Sequence, residues 1–245
     1  MVFNFELNMK LRIITPVLGV KRTNPEEYIS KLRKYSGIDE KTELDVVRVE
    51  KGPASIESRY DETFAILSVL SIIKNSLEID GIVVNCFADP GVNAGREISD
   101  IPILGPGQSS MLIASALCDK FSIITILKNI VPELNEHARQ YGLQGKLSSI
   151  RAIDVPVLDL HNSEEITIKK LIEEGKKAIT EDGAEVLILG CTGFTGMADT
   201  ISQKLGVYVI DPLPTALKLA ETLACLKLSH SKITYPQPPK KIIVT

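Results

Sequence analysis

Two of the chain's four cysteines end apolar runs at points where chemistry is commonly done. Cys86 closes DGIVVNC at 80–86 and Cys191 closes DGAEVLILGC at 182–191, and after each sulfur the residues turn polar and glycine-rich. In open parallel α/β sheets, ligands gather outside the carboxyl ends of the strands. A thiol there, with a helix to follow, is expected to have its pKa lowered by main-chain N–H groups and the helix dipole. Such a thiolate can remove a proton from carbon, and a second thiol across a cleft can return one to the opposite face of the planar carbanion. A matched pair therefore inverts a stereocentre next to a carbonyl without help from a metal or organic cofactor. The other two cysteines, Cys118 and Cys225, lie in helix-like apolar stretches and are expected to pack as small hydrophobes.

Other chemistry-bearing residues fit blander roles. Gly190, Gly193 and Gly196 match neither dinucleotide nor P-loop spacing, and with no Lys or Arg among them they let backbone approach a small substrate. His137, His161 and His230 are not spaced for joint metal ligation. Asp89, Glu57, Ser58 and Asp61 read as turn or helix-start residues. No motif for metal, nicotinamide or pyridoxal phosphate stands out, so no cofactor is expected.

These cysteines need elements to hold them. Apolar, β-branched runs predict strands at Leu11–Thr15, Leu44–Val49, Gly81–Val84, Ile101–Leu104, Phe121–Thr125, Leu147–Ile153, Val186–Leu189 and Val207–Ile210. Helices are predicted from Asn24 to about Ser36, and over Glu57–Ser76, Gln108–Leu117, Val131–Tyr141, Glu164–Thr180, Phe194–Leu205 and Leu213–Lys227. The alternation gives an α/β class with parallel sheets covered on both faces. The two cysteine segments echo each other. Each is followed by a glycine-containing loop, a short helix and another apolar strand, IPILGPG in the first half and VYVIDPLP in the second, which predicts two similar lobes. Beyond Ser229 the prolines predict a non-helical tail whose KIIVT end adds an edge strand.

Bulk properties narrow the partners. Of 245 residues, 44% are hydrophobic and 24% charged, and the net charge of −3 with scattered lysines offers no basic surface for nucleic acid. The longest nearly apolar stretch, Phe64 to Ile73, is well short of the ~18 residues of a membrane span. The start, MVFNFELNMK, has no signal-peptide pattern. A cytoplasmic protein with free thiols and a small-molecule substrate is expected.

Five segments carry a family resemblance: CFADPG at 86–91, GPASIESRYDE at 52–62, IRAIDVPVLDL at 150–160, LGCTGFTGMAD at 189–199 and VIDPLPTALKLAE at 209–221. Together they resemble the hydantoin and allantoin racemases of the Asp/Glu/hydantoin racemase superfamily; LGCT alone is shared with the aspartate and glutamate racemases. The resemblance implies two pseudo-twofold lobes with the substrate between them, one catalytic cysteine from each (Cys86 and Cys191), and a homo-oligomer. It also implies that residues 1–106 join 211–245 in one lobe around a second at 107–210. Backbone N–H groups at Asn85, Phe87, Thr192 and Gly193 match positions that hold a carbonyl or carboxylate oxygen, which would stabilise an enolate. Thr125 matches a threonine near the substrate of hydantoin racemases. One departure is Thr15-Pro16-Val17-Leu18-Gly19, where the family commonly has an Asn-Pro-Asn-like segment; Thr15 or a main-chain group is expected to take over that contact.

The leading expectation is racemisation of a 5-substituted hydantoin or related ureide. An aspartate or glutamate racemase is second, since only Arg96 near the cysteines offers a cation for a second carboxylate. A maleate-type cis–trans isomerase with one cysteine as nucleophile, or a binding protein that keeps the fold without activity, are the remaining alternatives.

Overall fold

A computed structural model describes residues 9–19 and 24–241. Among the described residues, eight strands form two sheets of four. The first holds β1 (Lys10–Thr15), β2 (Glu43–Arg48), β3 (Gly81–Val84) and β4 (Ile103–Leu104) in the order β2-β1-β3-β4. The second holds β5 (Phe121–Thr125), β6 (Leu147–Ala152), β7 (Val186–Leu189) and β8 (Tyr208–Ile210) in the order β6-β5-β7-β8. All pairings are parallel. The two orders are the same, so β1 corresponds to β5 and β3 to β7. The strands that lead to the cysteines, β3 and β7, are buried at every residue, which is why they read as unbroken apolar runs rather than alternating ones.

The helices are α1 (Pro25–Ser36), α2 (Arg59–Lys74), α3 (Val92–Ile98), α4 (Pro106–Leu117), α5 (Val131–Gln140), α6 (Glu164–Thr180), α7 (Ala198–Leu205) and α8 (Pro212–Cys225). Their ends follow local chemistry. The Asn24 side chain accepts from Glu26 N–H at 3.0 Å ahead of Pro25, and Gly37 closes α1 at φ 59°. Ser58 and Asp61 form a reciprocal cap on α2, as expected, so that helix starts at Arg59 rather than Glu57. The expected helix over 194–205 starts only at Ala198. Thr192–Phe194 is a single 3-10 turn and Gly196 has φ +95°, which an α-helix cannot continue through.

Two helices change partners. After β4 the chain runs into α4, whose Met111 and Ala114 pack with Phe121, Ile123, Val186 and Ile188 of the second sheet. After β8 it runs into α8, whose Leu213, Ala216, Leu217 and Ala220 pack with Leu11, Ile13, Val83 and Leu104 of the first. The helices α4 and α8 also pack against each other. This exchange ties the sheets together and brings the carboxyl ends of β3 and β7 towards one another.

The tail beyond Ser229 is non-helical, as expected, and lies on the first lobe: His230 Nε2 accepts from Ile103 N–H at 3.0 Å, and the Tyr235 hydroxyl meets Arg96 Nη1 at 3.0 Å. The edge strand expected from KIIVT falls almost wholly outside the described residues, as does nearly all of the chain start. Among the described residues no helix is long and apolar enough to cross a membrane. Cys118 donates to the Ala114 carbonyl at 3.2 Å and packs against the core, but Cys225 is exposed at the end of α8, contrary to its expected packing role; the buried face of that helix passes through Leu217, Ala220 and Glu221.

Candidate active site

Both cysteines sit two residues beyond the end of a central strand. Asn85 N–H donates to Ile14 O at 2.8 Å and Gly190 N–H to Ile124 O at 2.7 Å, so the sheet ladder ends in the same way in each lobe. Thr15 and Thr125 end β1 and β5, and their carbonyls accept from Val49 and Ile153. The segments then meet: Thr192 Oγ1, next to Cys191, lies 3.5 Å from the Asn85 carbonyl, next to Cys86. Each cysteine keeps some exposed surface, and Cys191 acts electrostatically on Cys86.

The expected lowering of the thiol pKa values is overturned. Burial pushes Cys86 well above the ordinary thiol range, and the nearby Cys191, Asp89 and Glu62 push the same way. Burial likewise raises Cys191 to about 11, against the Gly193 N–H, which donates to its sulfur at 3.3 Å. The physical reason is distance from an α-helix start: α3 begins only at Val92 and α7 only at Ala198, and the single main-chain donors at the sulfurs, Ala88 for Cys86 and Gly193 of the 3-10 turn for Cys191, do not offset burial. Desolvation is left to dominate.

The sequence-named residues divide into two groups. The N–H groups of Phe87 and Thr192 donate to no acceptor among the described residues, while the Phe87 ring is buried in the core beneath. Gly193 N–H is directed at the Cys191 sulfur. Asn85 N–H is spent in the sheet, so only its side chain can face a ligand; Nδ2 donates to the Tyr28 hydroxyl at 3.1 Å and Oδ1 is buried without a partner. Thr125 is fully buried and donates to the Gly190 carbonyl at 3.2 Å, which makes it a support for the Cys191 strand end. Thr15 is partly buried. In the departing segment, Leu18 and Gly19 N–H groups pair with Pro53 and Ala54 carbonyls, so main chain holds that loop. Arg96, the cation nearest in sequence to either cysteine, is 2% exposed and bonds to Ile103 O, Asn93, Gln108 and Tyr235.

Of three supporting acids, Asp211 escaped the sequence reading, and Asp89 and Glu57 were named there with other partners. Asp89, read as a cap for the next helix or turn, instead reaches from the Cys86 loop to the start of α4, accepting from Gly107 N at 2.8 Å, Gln108 N at 2.7 Å and the Tyr141 hydroxyl at 2.9 Å. Asp211 accepts from Gly196 N at 2.6 Å and Thr195 Oγ1 at 3.2 Å, fixing the Cys191 loop. Glu57, read as a helix-start residue, accepts from Val157 N–H at 2.7 Å in the other half and adds negative charge near Cys191. The DP in VIDPLP was a usable signal for Asp211; nothing local marks the reach of Glu57. Among the described residues no group of three or more His, Cys, Asp or Glu is arranged to hold a metal ion.

Known proteins resemble this chain in sequence and in fold. A family model described as Asp/Glu/Hydantoin racemase matches residues 26–220. A hydantoin racemase from Pseudomonas sp. (strain NS671) is 39% identical over 236 residues, covering 95% of this chain and 93% of that one. A hydantoin racemase from Paenarthrobacter aurescens is 35% identical over 204 residues, covering 82% and 86%. Among solved structures, allantoin racemase from Klebsiella pneumoniae superposes with a TM-score of 0.87 at 30% identity, covering 97% of this chain and 96% of that one.

Proposed function

The chain belongs to the Asp/Glu/hydantoin racemase family and is a racemase, an isomerase; on that premise we propose that it racemises a 5-substituted hydantoin or related ureide through Cys86 and Cys191. The observation that carries this reading is the meeting of the two cysteine segments at Thr192 and Asn85. In the forward direction the Cys191 thiolate takes the hydrogen from the ring carbon, the electron pair moves onto the adjacent carbonyl oxygen, and the Cys86 thiol protonates the other face. The reverse direction exchanges the roles. The unengaged N–H groups of Phe87 and Thr192 are suited to the enolate oxygen. Because burial raises both thiols, the free enzyme at neutral pH holds them mainly protonated, and kcat/KM should climb with pH into the alkaline range.

An uncharged ring is favoured over an acidic amino acid because Arg96 is already committed to four protein partners. The test follows optical rotation and deuterium uptake from D2O over a panel of 5-substituted hydantoins, allantoin, aspartate, glutamate and maleate. Inversion and exchange of a hydantoin or allantoin are expected. Turnover confined to the amino acids or maleate would overturn the substrate assignment.

A further inference from the structure

Where α2 of the first half faces α5 of the second, a cavity of about 320 Å³ is lined by Arg59, Glu62, Glu133, Glu136 and His137. Glu133 is 6% exposed, and its Oε1 has no hydrogen-bond partner among the described residues. Glu62 comes within hydrogen-bonding reach of it from α2. Two ionised carboxylates in contact would repel and would leave that buried oxygen without a donor. A proton held between them removes both costs. The arginine that could have neutralised the pair, Arg59, is instead ion-paired with Glu136.

We propose that Glu62 holds a proton directed at Glu133 across the boundary between the halves, and that this pair is a positioning element for Cys86, keeping a second negative charge away from the thiol. The role rests on the racemase reading above, since it acts through the proposed Cys86 base. Groups facing Glu62 are Glu133, Glu136 and His137 on α5, Tyr141 just after it, Asp89 and Cys86 in the loop after β3, and Arg59 on its own helix. Asp89 already lies beside Cys86 and is anchored by three donors. An ionised Glu62 would add to the same repulsion, so Cys86 ionises most easily while Glu62 keeps its proton.

Burial and Glu133 together raise the Glu62 carboxyl from 4.5 to about 8. A raised acid makes the folded chain bind more protons than the unfolded one between those values, so its stabilising contribution is full below about pH 4.5 and lost as pH rises through about 8.

Glu62→Gln keeps a neutral hydrogen-bonding group that cannot ionise. Two readouts need no substrate: iodoacetamide labelling of each cysteine against pH, followed by peptide mass spectrometry, and the urea unfolding midpoint against pH. Above pH 8, Glu62→Gln is expected to label at Cys86 roughly threefold faster than the wild type, with Cys225 labelling unaltered. The wild-type midpoint should fall between pH 5 and 8 more steeply than that of the variant. Glu133→Gln supplies a second test should Glu62→Gln fail to fold, and should flatten the same stability profile. Superimposable labelling and stability curves for wild type and variants would overturn the proposal. A wild type that racemises nothing, with these shifts present, would refute the racemase reading and leave the proton on Glu62 standing.

Discussion

The two halves present the same strand order and the same cysteine position, yet they secure the cysteine loop from opposite directions. In the first half the acid is in the loop: Asp89, at φ 55°, reaches forward to cap α4, and the strand end it approaches must be Gly105, where a Cβ would fall 2.2 Å from the Asp89 carboxyl carbon. In the second half the acid stands at the corresponding strand end: Asp211, just after β8, reaches back to the Thr195–Gly196 turn. Repetition of a backbone plan therefore does not require repetition of the residues that brace it. The difference also separates the thiols. Cys86 has Asp89, and above about pH 8 Glu62, as negative neighbours, whereas Cys191 has Glu57; a main-chain N–H donates to each sulfur, from Ala88 and from Gly193.

If the halves act as two opposed bases, Cys86→Ser and Cys191→Ser should each reduce racemisation by about a hundredfold or more, while each still exchanges the hydrogen of one enantiomer with solvent. Proton NMR in D2O on separate enantiomers reads this, and the exchanging enantiomer should differ between the variants. Full activity in either one would break the pairing.

The bracing acids come next in size. Asp89→Ala strands two N–H groups of α4 and the Tyr141 hydroxyl, and should cost about 3 kcal/mol in urea unfolding; Asp211→Ala, with two donors lost, should cost about 2 kcal/mol. Burial raises Asp211 from 3.8 to about 6, so its stabilising contribution is full below about pH 4 and lost as pH rises through about 6. Asp211→Asn should flatten stability across that window, and an unaltered profile would show that Asp211 does not carry this pH dependence.

A smaller effect concerns reactivity. Cys191 should be alkylated severalfold faster than Cys86 at pH 8, because each thiol has one main-chain donor but fewer negative neighbours surround Cys191. The reverse order would remove the electrostatic contrast between the halves. Smallest of all, Cys118→Ser and Cys225→Ser should alter stability by no more than about 0.5 kcal/mol and leave racemisation intact; a large loss from either would move a catalytic thiol outside the pair.

The amino-acid sequence by itself determined the α/β class, the eight strands, the position of both cysteines at strand ends and the family. These depend on local apolar runs, caps such as Asn24 and Ser58, and motifs such as LGCT, all of which lie within a few neighbouring residues. It also carried Thr125 as a site residue, which folding turned into a buried support for Gly190, and it gave the thiols a lowered pKa that burial reversed. Only the tertiary structure decided that Asp89 caps a helix beyond the next strand, that Glu57 holds Val157, that Arg96 is fully engaged, and that Glu62 meets Glu133. Each of those contacts joins residues far apart in the chain, and the free energy of a buried charge depends on what surrounds it in space; no local pattern encodes that environment.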